Sequence, residues 1–278
     1  MSFASRRLQS LAGLSALTPF DIAGILAVQS KLACFEQQQR GVITRPRWYD
    51  KVEVTDRGPW AGFQISLDGR ALRTPAKHPL LLPTRLLAAA IAAEWQWQES
   101  GKLRPHTMPL MTLAATALDQ PKSKEDVIET LLGFLDTDGL CCRSKDPSVS
   151  ERQSKVLNPI LQRAGQRLGA DFTTSSSIFG SPQSDAAAIA VQNHLAGLDH
   201  WRLAATDSLS AACKSVLMGI SVTQGWLTMH EALEAASLEE SINIEGWGLV
   251  EGGHDIDAAD LRVRISAPCV FARLLTLT

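Results

Sequence analysis

Apolar and polar residues alternate along "WYDKVEV" (residues 48–54) and again along "GFQISL" (62–67), the period of half-buried β-strands. Asp68-Gly69 follows the second run, and that dipeptide predicts a tight hairpin because glycine enters the positive-φ region at little cost. "HPLLLP" reads as a further short strand closed by Pro83, after which Thr84 caps a helix along "RLLAAAIAAEWQWQES" that stops at Gly101. Strands covered by one helix make a small α+β domain over residues 44–105.

Beyond it every segment takes the helical period. "TMPLMTLAATALD" has Thr107 as its expected cap and Pro109 in its first turn, where a missing N–H costs nothing. "EDVIETLLGFLDTD" and "SERQSKVLNPILQRAGQRLG" follow, and the second ends at Gly169. "TTSSSIFGSPQSD" is a polar loop. Leu209, Cys213, Val216 and Ile220 then share one face of a single helix ended by Gly225. Thr228 and Glu231 form a capping box for a helix reaching about Asn243, and a last helix starts at Asp257, with Asp255 or Asp257 at its cap. The fold class is therefore α+β: a small β-rich N-terminal domain packed with a mainly helical domain over 106–278.

The first residues differ in kind. Up to Phe20 the chain has no acid, only Arg6 and Arg7 among serines, and Phe3, Leu8, Leu11 and Leu14 would share one face of a helix. An acid-poor, Arg/Ser-rich amphipathic start reads as a mitochondrial transit peptide over residues 1–41. The whole chain carries a formal net charge of -2, which provides no basic field for a phosphate backbone, so nucleic acid is excluded as a partner. No apolar run approaches the ~18–20 residues of a membrane span. The five cysteines lack any CxxC or zinc spacing and read as reduced packing thiols. No two of the six histidines stand three or four apart, so neither a metal nor any other cofactor is expected.

Phosphate-binding glycine loops, HExxH and GxSxG are also missing, which leaves the stretch 238–264 as the one concentration of chemistry. Glu239 has Ala232, Ala235, Ala236 and Ile242 at helical spacing, so it projects from an apolar face. A carboxylate there is either paired internally, with Arg262 or Arg264 as candidates, or kept for a partner. Glu240 turns toward solvent. His254 and Asp255 could serve a hydrolase or transferase together with Glu239, but sequence neighbours point apart, and His254 bonded to a nearby backbone group is the better reading. Of the seven tryptophans, Trp95, Trp97, Trp201, Trp226 and Trp247 are expected to anchor helix packing, with one or two left to face a partner.

Laid out in order, "RWYDKVEV", "ISLDGRALRTPAKHPLLLPT", "LAAAIAAEWQWQ", "KLRPHTMPLMTLAATALD", "FLDTD" and "LEESINIEGWGLVEGGHD" resemble the mitochondrial assembly factors for the F₁ sector of ATP synthase, specifically the chaperones of its alpha subunit. The likeness covers about residues 46–273. It implies an orthogonal helical bundle behind the β-rich domain and a non-enzymatic matrix protein. Such a protein acts as a monomer and holds free F₁ alpha subunit until beta replaces it. The family's important acidic position falls on Glu239, with Glu240, Trp247 and Glu251 as further contact candidates. Three departures stand out: Asn243, Gly252-Gly253 and Pro268. The glycines should loosen the 251–255 loop, and Pro268 should kink or shorten the last helix.

Deleting residues 1–41 should abolish import into isolated mitochondria and leave the melting temperature of the remainder unchanged. Normal import of the shortened chain, or a large drop in melting temperature, would overturn the transit-peptide reading.

Overall fold

The computed structural model describes residues 46–58, 61–99, 102–177, 179–250 and 252–277. The transit-peptide segment and Glu251 lie outside the described residues.

Strands β1 (Val52–Asp56) and β2 (Phe63–Leu67) pair antiparallel from Val52↔Leu67 to Asp56↔Phe63. The hairpin into β3 (Arg70–Ala71) turns on Asp68 (φ 48) and Gly69 (φ 76), the two positive-φ residues that a two-residue turn demands. β4 (Leu81–Leu82) pairs with the other end of β2, so β2 is central. β1 is a largely exposed edge, not the half-buried strand its alternation implied; Tyr49, just ahead of it, is the residue buried there. Helix α1 (Arg85–Gln96) lays Leu87, Ala88 and Ile91 on the sheet, and the Thr84 hydroxyl accepts the Leu87 N–H at its start.

Helix α1 stops four residues short of its sequence signal. The Arg47 guanidinium donates to the carbonyls of Gln96 and Gln98 and thus supplies the donors that the end of a helix lacks. Helix α2 (Pro109–Asp119) begins with proline as expected, but Thr107 does not cap it. Its hydroxyl donates to the Arg104 carbonyl and accepts from Gln98. The capping acceptor comes from another helix: the Glu94 carboxylate of α1 takes the N–H groups of Leu110 and Met111, both at 2.8 Å. Burial pushes Glu94 up to about 7 against the pull of these two donors.

Helices α3 (Lys124–Gly133) and α4 (Pro147–Leu168) follow, α4 ending on left-handed Gly169. After the polar loop come α5 (Asp185–Ala196), α6 (His200–Cys213) and α7 (Val216–Thr223). The single helix read through Leu209–Ile220 is in fact two. Lys214 turns left-handed (φ 53) and Ser215 caps α7, although all four apolar residues remain buried. Gly219 lets α7 lie directly on α6, since a Cβ there would stand 2.2 Å from Ser210 Oγ. The break is held from below by Asp138, which is 1% exposed. Its carboxylate accepts from Ser215 Oγ at 2.5 Å, Leu140 N at 2.9 Å and Leu217 N at 3.1 Å.

The C-terminal part is α8 (Met229–Ala236), α9 (Leu238–Trp247) and α10 (His254–Leu274). The Thr228–Glu231 capping box is present. Helix α10 starts three residues before its sequence signal, and neither Asp255 nor Asp257 caps it by side chain; both lie in its first turn. Pro268 neither ends nor shortens α10, which continues six residues beyond it with the ring buried.

Two apolar clusters result. One lies among α3–α10; the other joins the sheet, α1 and α2 to Trp201 and Ala205 of α6 and to Phe271 and Ala272 of α10. Trp97 and Trp247 anchor neither, being 84% and 91% exposed. The described cysteines are all free, and burial pushes Cys141 and Cys213 up to about 12.

A raised carboxyl favours the protonated fold, so Glu94 contributes stability fully below its unfolded value near 4.5 and loses it as pH rises through about 7. Burial lowers His194 and acts with the opposite sign below 6.5. Melting curves of wild type and Glu94→Gln between pH 4.5 and 8 isolate the first effect. The difference between them should change with pH up to about 7 and then level off; a constant difference would refute it.

Candidate functional site: the Glu239 cleft

A cleft of about 580 Å³ opens where α4, the α6–α7 junction, α8, α9 and α10 meet. Leu157, Met218, Leu238 and Leu261 supply its apolar wall. Glu239, Glu240, Asp257 and Asp260 stand on it with Lys214, His254 and Arg264. Polar ties hold the walls together. Arg152 grips Glu245 through two bonds of 2.6 and 2.9 Å, joining α4 to α9. Arg163 joins α4 to α8 through the Trp226 carbonyl and Glu231.

Glu239 occupies the first turn of α9 and is exposed. The single helix through which its spacing was read is broken, although Ala235 and Ala236 still line the cleft with it. Helix α8 ends at Ala236, Ser237 (φ -97, ψ 3) interrupts the backbone, and α9 restarts with Leu238 as its buried residue. Among the described residues Glu239 has no ion pair, with Arg262, Arg264 or any other base. Its Oε1 instead accepts Gln153 Nε2 at 3.1 Å, while Gln153 Oε1 accepts the Ser144 N–H at 2.7 Å. Gln153 is 2% exposed, so a buried amide, fixed at its other end by backbone, aims an accessible carboxylate.

The remaining described candidates divide between the cleft wall and the surface outside it. Glu240 lines the cleft and is half-buried. Trp247, the last residue of α9, does not line it and is exposed, as are Leu249 and Val250 just after it. His254 shares the cleft with Glu239, and its Nδ1 accepts the Val250 N–H at 3.2 Å, the backbone bond its sequence position implied. Asp255 is exposed and absent from the cleft wall. Among the described residues no hydrogen bond joins Glu239, His254 and Asp255, and no three His, Cys, Asp or Glu residues are placed to hold a metal ion. Nor is any described helix long and apolar enough to cross a membrane.

Sequence reasoning missed Gln153. Its signal was available: with Leu157, Ile160, Leu161 and Ala164 it shares the buried stripe of α4, the one polar residue on that stripe.

A cleft walled by helices from distant parts of the chain, with an exposed carboxylate and no catalytic constellation among the described residues, has the form of a binding site. Comparison with known proteins gives the class of binder. The ATP12 chaperone protein family matches over residues 46–165. The mitochondrial protein atp12 of Schizosaccharomyces pombe is 28% identical over 224 residues, 76% of this chain and 77% of that one. The crystal structure of Atp12 from Paracoccus denitrificans is 28% identical, superposes with a TM-score of 0.74 and covers 83% of this chain and 98% of its own. The Atu1473 protein of Agrobacterium tumefaciens is 30% identical with a TM-score of 0.76, covering 95% and 94%. The chain belongs to the ATP12 chaperone family.

Because Glu239 is exposed and answers to a single amide, Glu239→Gln should change unfolding free energy by no more than about 0.5 kcal/mol. A loss of several kcal/mol in urea unfolding would mean that the carboxylate is an internal structural partner.

Proposed function

We propose that this protein is an assembly chaperone that holds free F₁ alpha subunit of ATP synthase before alpha and beta combine. It works in the mitochondrial matrix as a monomer without cofactor or catalytic turnover, and residues 1–41 direct it there. The observation that carries this reading is the presentation of Glu239: an exposed carboxylate, aimed by a buried amide at the start of a helix whose far end carries exposed Trp247, followed by exposed Leu249 and Val250. That combination suits a protein surface offering a donor within an apolar patch. The interface apolar area that free alpha exposes needs cover, and it must be given up again when beta arrives. Membership of a chaperone family and the mitochondrial relative support the assignment. Glu240 and Trp247 extend the contact, as does Glu251. In this arrangement the β-rich part (44–105) braces the helical part (106–278), which does the holding.

The hydrolase or transferase alternative draws on His254 and Glu239 sharing one cleft. It lacks the orienting partner a catalytic imidazole requires, since Nδ1 is spent on backbone.

Charge-assisted hydrogen bonds are worth about 1.5–3 kcal/mol, so Glu239→Gln should weaken capture of purified F₁ alpha roughly ten- to a hundredfold while folding is kept. Glu239→Lys should be worse, and His254→Ala should capture alpha as wild type does. Wild-type affinity in Glu239→Gln would remove the carboxylate from the interface.

A further inference from the structure

A second cavity, of about 570 Å³, opens where the end of α2, the start of α3 and the first half of α6 meet. Ala117, Val127, Leu198, Leu203 and Ala204 give it an apolar wall, and it shares no residue with the Glu239 cleft. His200, Leu203, Ala204 and Asp207 all line it, at the i, i+3, i+4 and i+7 positions of α6. Residues at that spacing form one stripe of a helix, so the Asp207 side chain stands on the face that looks into the cavity.

Asp207 is half-buried, and among the described residues it accepts no hydrogen bond and forms no ion pair. Burial pushes its carboxyl above the ordinary range, against a weaker pull from Lys122. Two of the other charges on the wall are already engaged. Lys124 Nζ donates to the carbonyls of Ala196 and Leu198, at 2.6 and 2.7 Å, and so closes the end of α5. Asp199 caps α6 through the Arg202 N–H (2.8 Å) and pairs with the Arg202 guanidinium (2.6 Å). Lys122 and His200 are exposed at the mouth. What remains inside is a carboxylate with both oxygens open, set among aliphatic side chains. Such a group is matched by a cation that brings its own apolar stem.

The stripe that carries Asp207 does not end at this cavity. Ala211, four residues further along α6, lines the Glu239 cleft. Four residues are about 6 Å of helix, so one face of α6 leads from the first site to the second.

We infer that the Asp207 cavity takes an arginine side chain of the same protein that is held at the Glu239 cleft. A guanidinium suits it better than an ammonium, because a planar fork meets both carboxylate oxygens at once while the stem packs on the aliphatic wall. The inference rests on the reading of Glu239 as the holding surface and adds to it a contact of stated chemistry one helical turn away. Two modest contacts made together hold a client that either alone would lose, and both can be surrendered in turn.

The test titrates the isotope-labelled full chain with a blocked leucine–arginine–leucine tripeptide and reads amide chemical shifts. The shifts should saturate and centre on residues 203–207. The same tripeptide with citrulline for arginine keeps the shape without the charge, and should bind at least about tenfold more weakly. Asp207→Asn should lose the same factor and keep its melting temperature, since it breaks no bond within the fold. Lys122→Ala, at an exposed position, should bind at least as tightly as wild type because it removes a competing cation. Asp207→Asn should also weaken capture of purified F₁ alpha about tenfold with Glu239 in place. Equal binding of the citrulline peptide would overturn the inference, as would undiminished capture of alpha by Asp207→Asn. Butylguanidinium bound as tightly as the tripeptide would make the cavity a site for a free small cation and overturn the protein occupant. If wild type itself captured no alpha, the Glu239 reading would fall, and the citrulline comparison would still decide the cavity.

Discussion

The floor of the Glu239 cleft rests on one buried carboxylate. Asp138 has no solvent and no base beside it; three donors, from Leu140, Ser215 and Leu217, answer it. Two of them belong to the start of α7, the hydroxyl of its cap Ser215 and the Leu217 N–H, so Asp138 takes up an orphan donor of a helix that begins in the protein interior. Burial pushes its carboxyl above the ordinary carboxylate range while these donors pull it down. Replacing such an acceptor with an apolar group would strand several buried donors at about 1–3 kcal/mol each. The neighbouring Gly139 N–H bonds the Lys214 carbonyl, so the loop and the helix break are fastened to each other twice.

That fastening decides where the cleft can be. The α6–α7 break, with Cys213 and Lys214, forms its floor, and α4 forms the wall that carries Gln153. Around it the protein uses charge pairs at the surface and reserves neutral amides for the interior. Arg152–Glu245 and Arg163–Glu231 are both substantially exposed, where such pairs contribute modestly, and they position α8 and α9 more than they stabilise them. Gln153 performs the buried task, which an ion could perform only at a large desolvation cost. The result is a carboxylate held in direction but left open to solvent, an arrangement fit for reversible contact.

The same economy appears at the other end of the molecule. Glu94 of α1 caps α2 across a helix–helix contact, and Arg47 closes α1 from a segment that precedes the sheet. The first of these long-range caps replaces the local one that the chain lacks at Thr107. They also bind the sheet region to α2, and Phe271 of α10 completes the core beneath it.

By itself the sequence determined what is local. The Asp68-Gly69 hairpin, the Thr84 and Thr228 caps, Pro109 at a helix start, the Gly169 stop and the polar 173–184 loop each depend on a few adjacent residues, and each is where the pattern put it. The family motifs likewise singled out Glu239, which lines a cleft. What only the tertiary structure decided are the places where distant groups override local preference. Helix breaks at Lys214 and Ser237 interrupt patterns that read as continuous, because a 3.6 period continues on paper through any residue that is not glycine or proline. Glu239 therefore lies on the open first turn of a new helix, sharing the cleft with Ala235 and Ala236 of the helix before it, and Leu238 takes the buried place. Its aim depends on Gln153, eighty-six residues away, and no periodicity reports a partner at that separation. Side-chain direction at a helix end is set by what packs against it, and that is a property of the assembled fold.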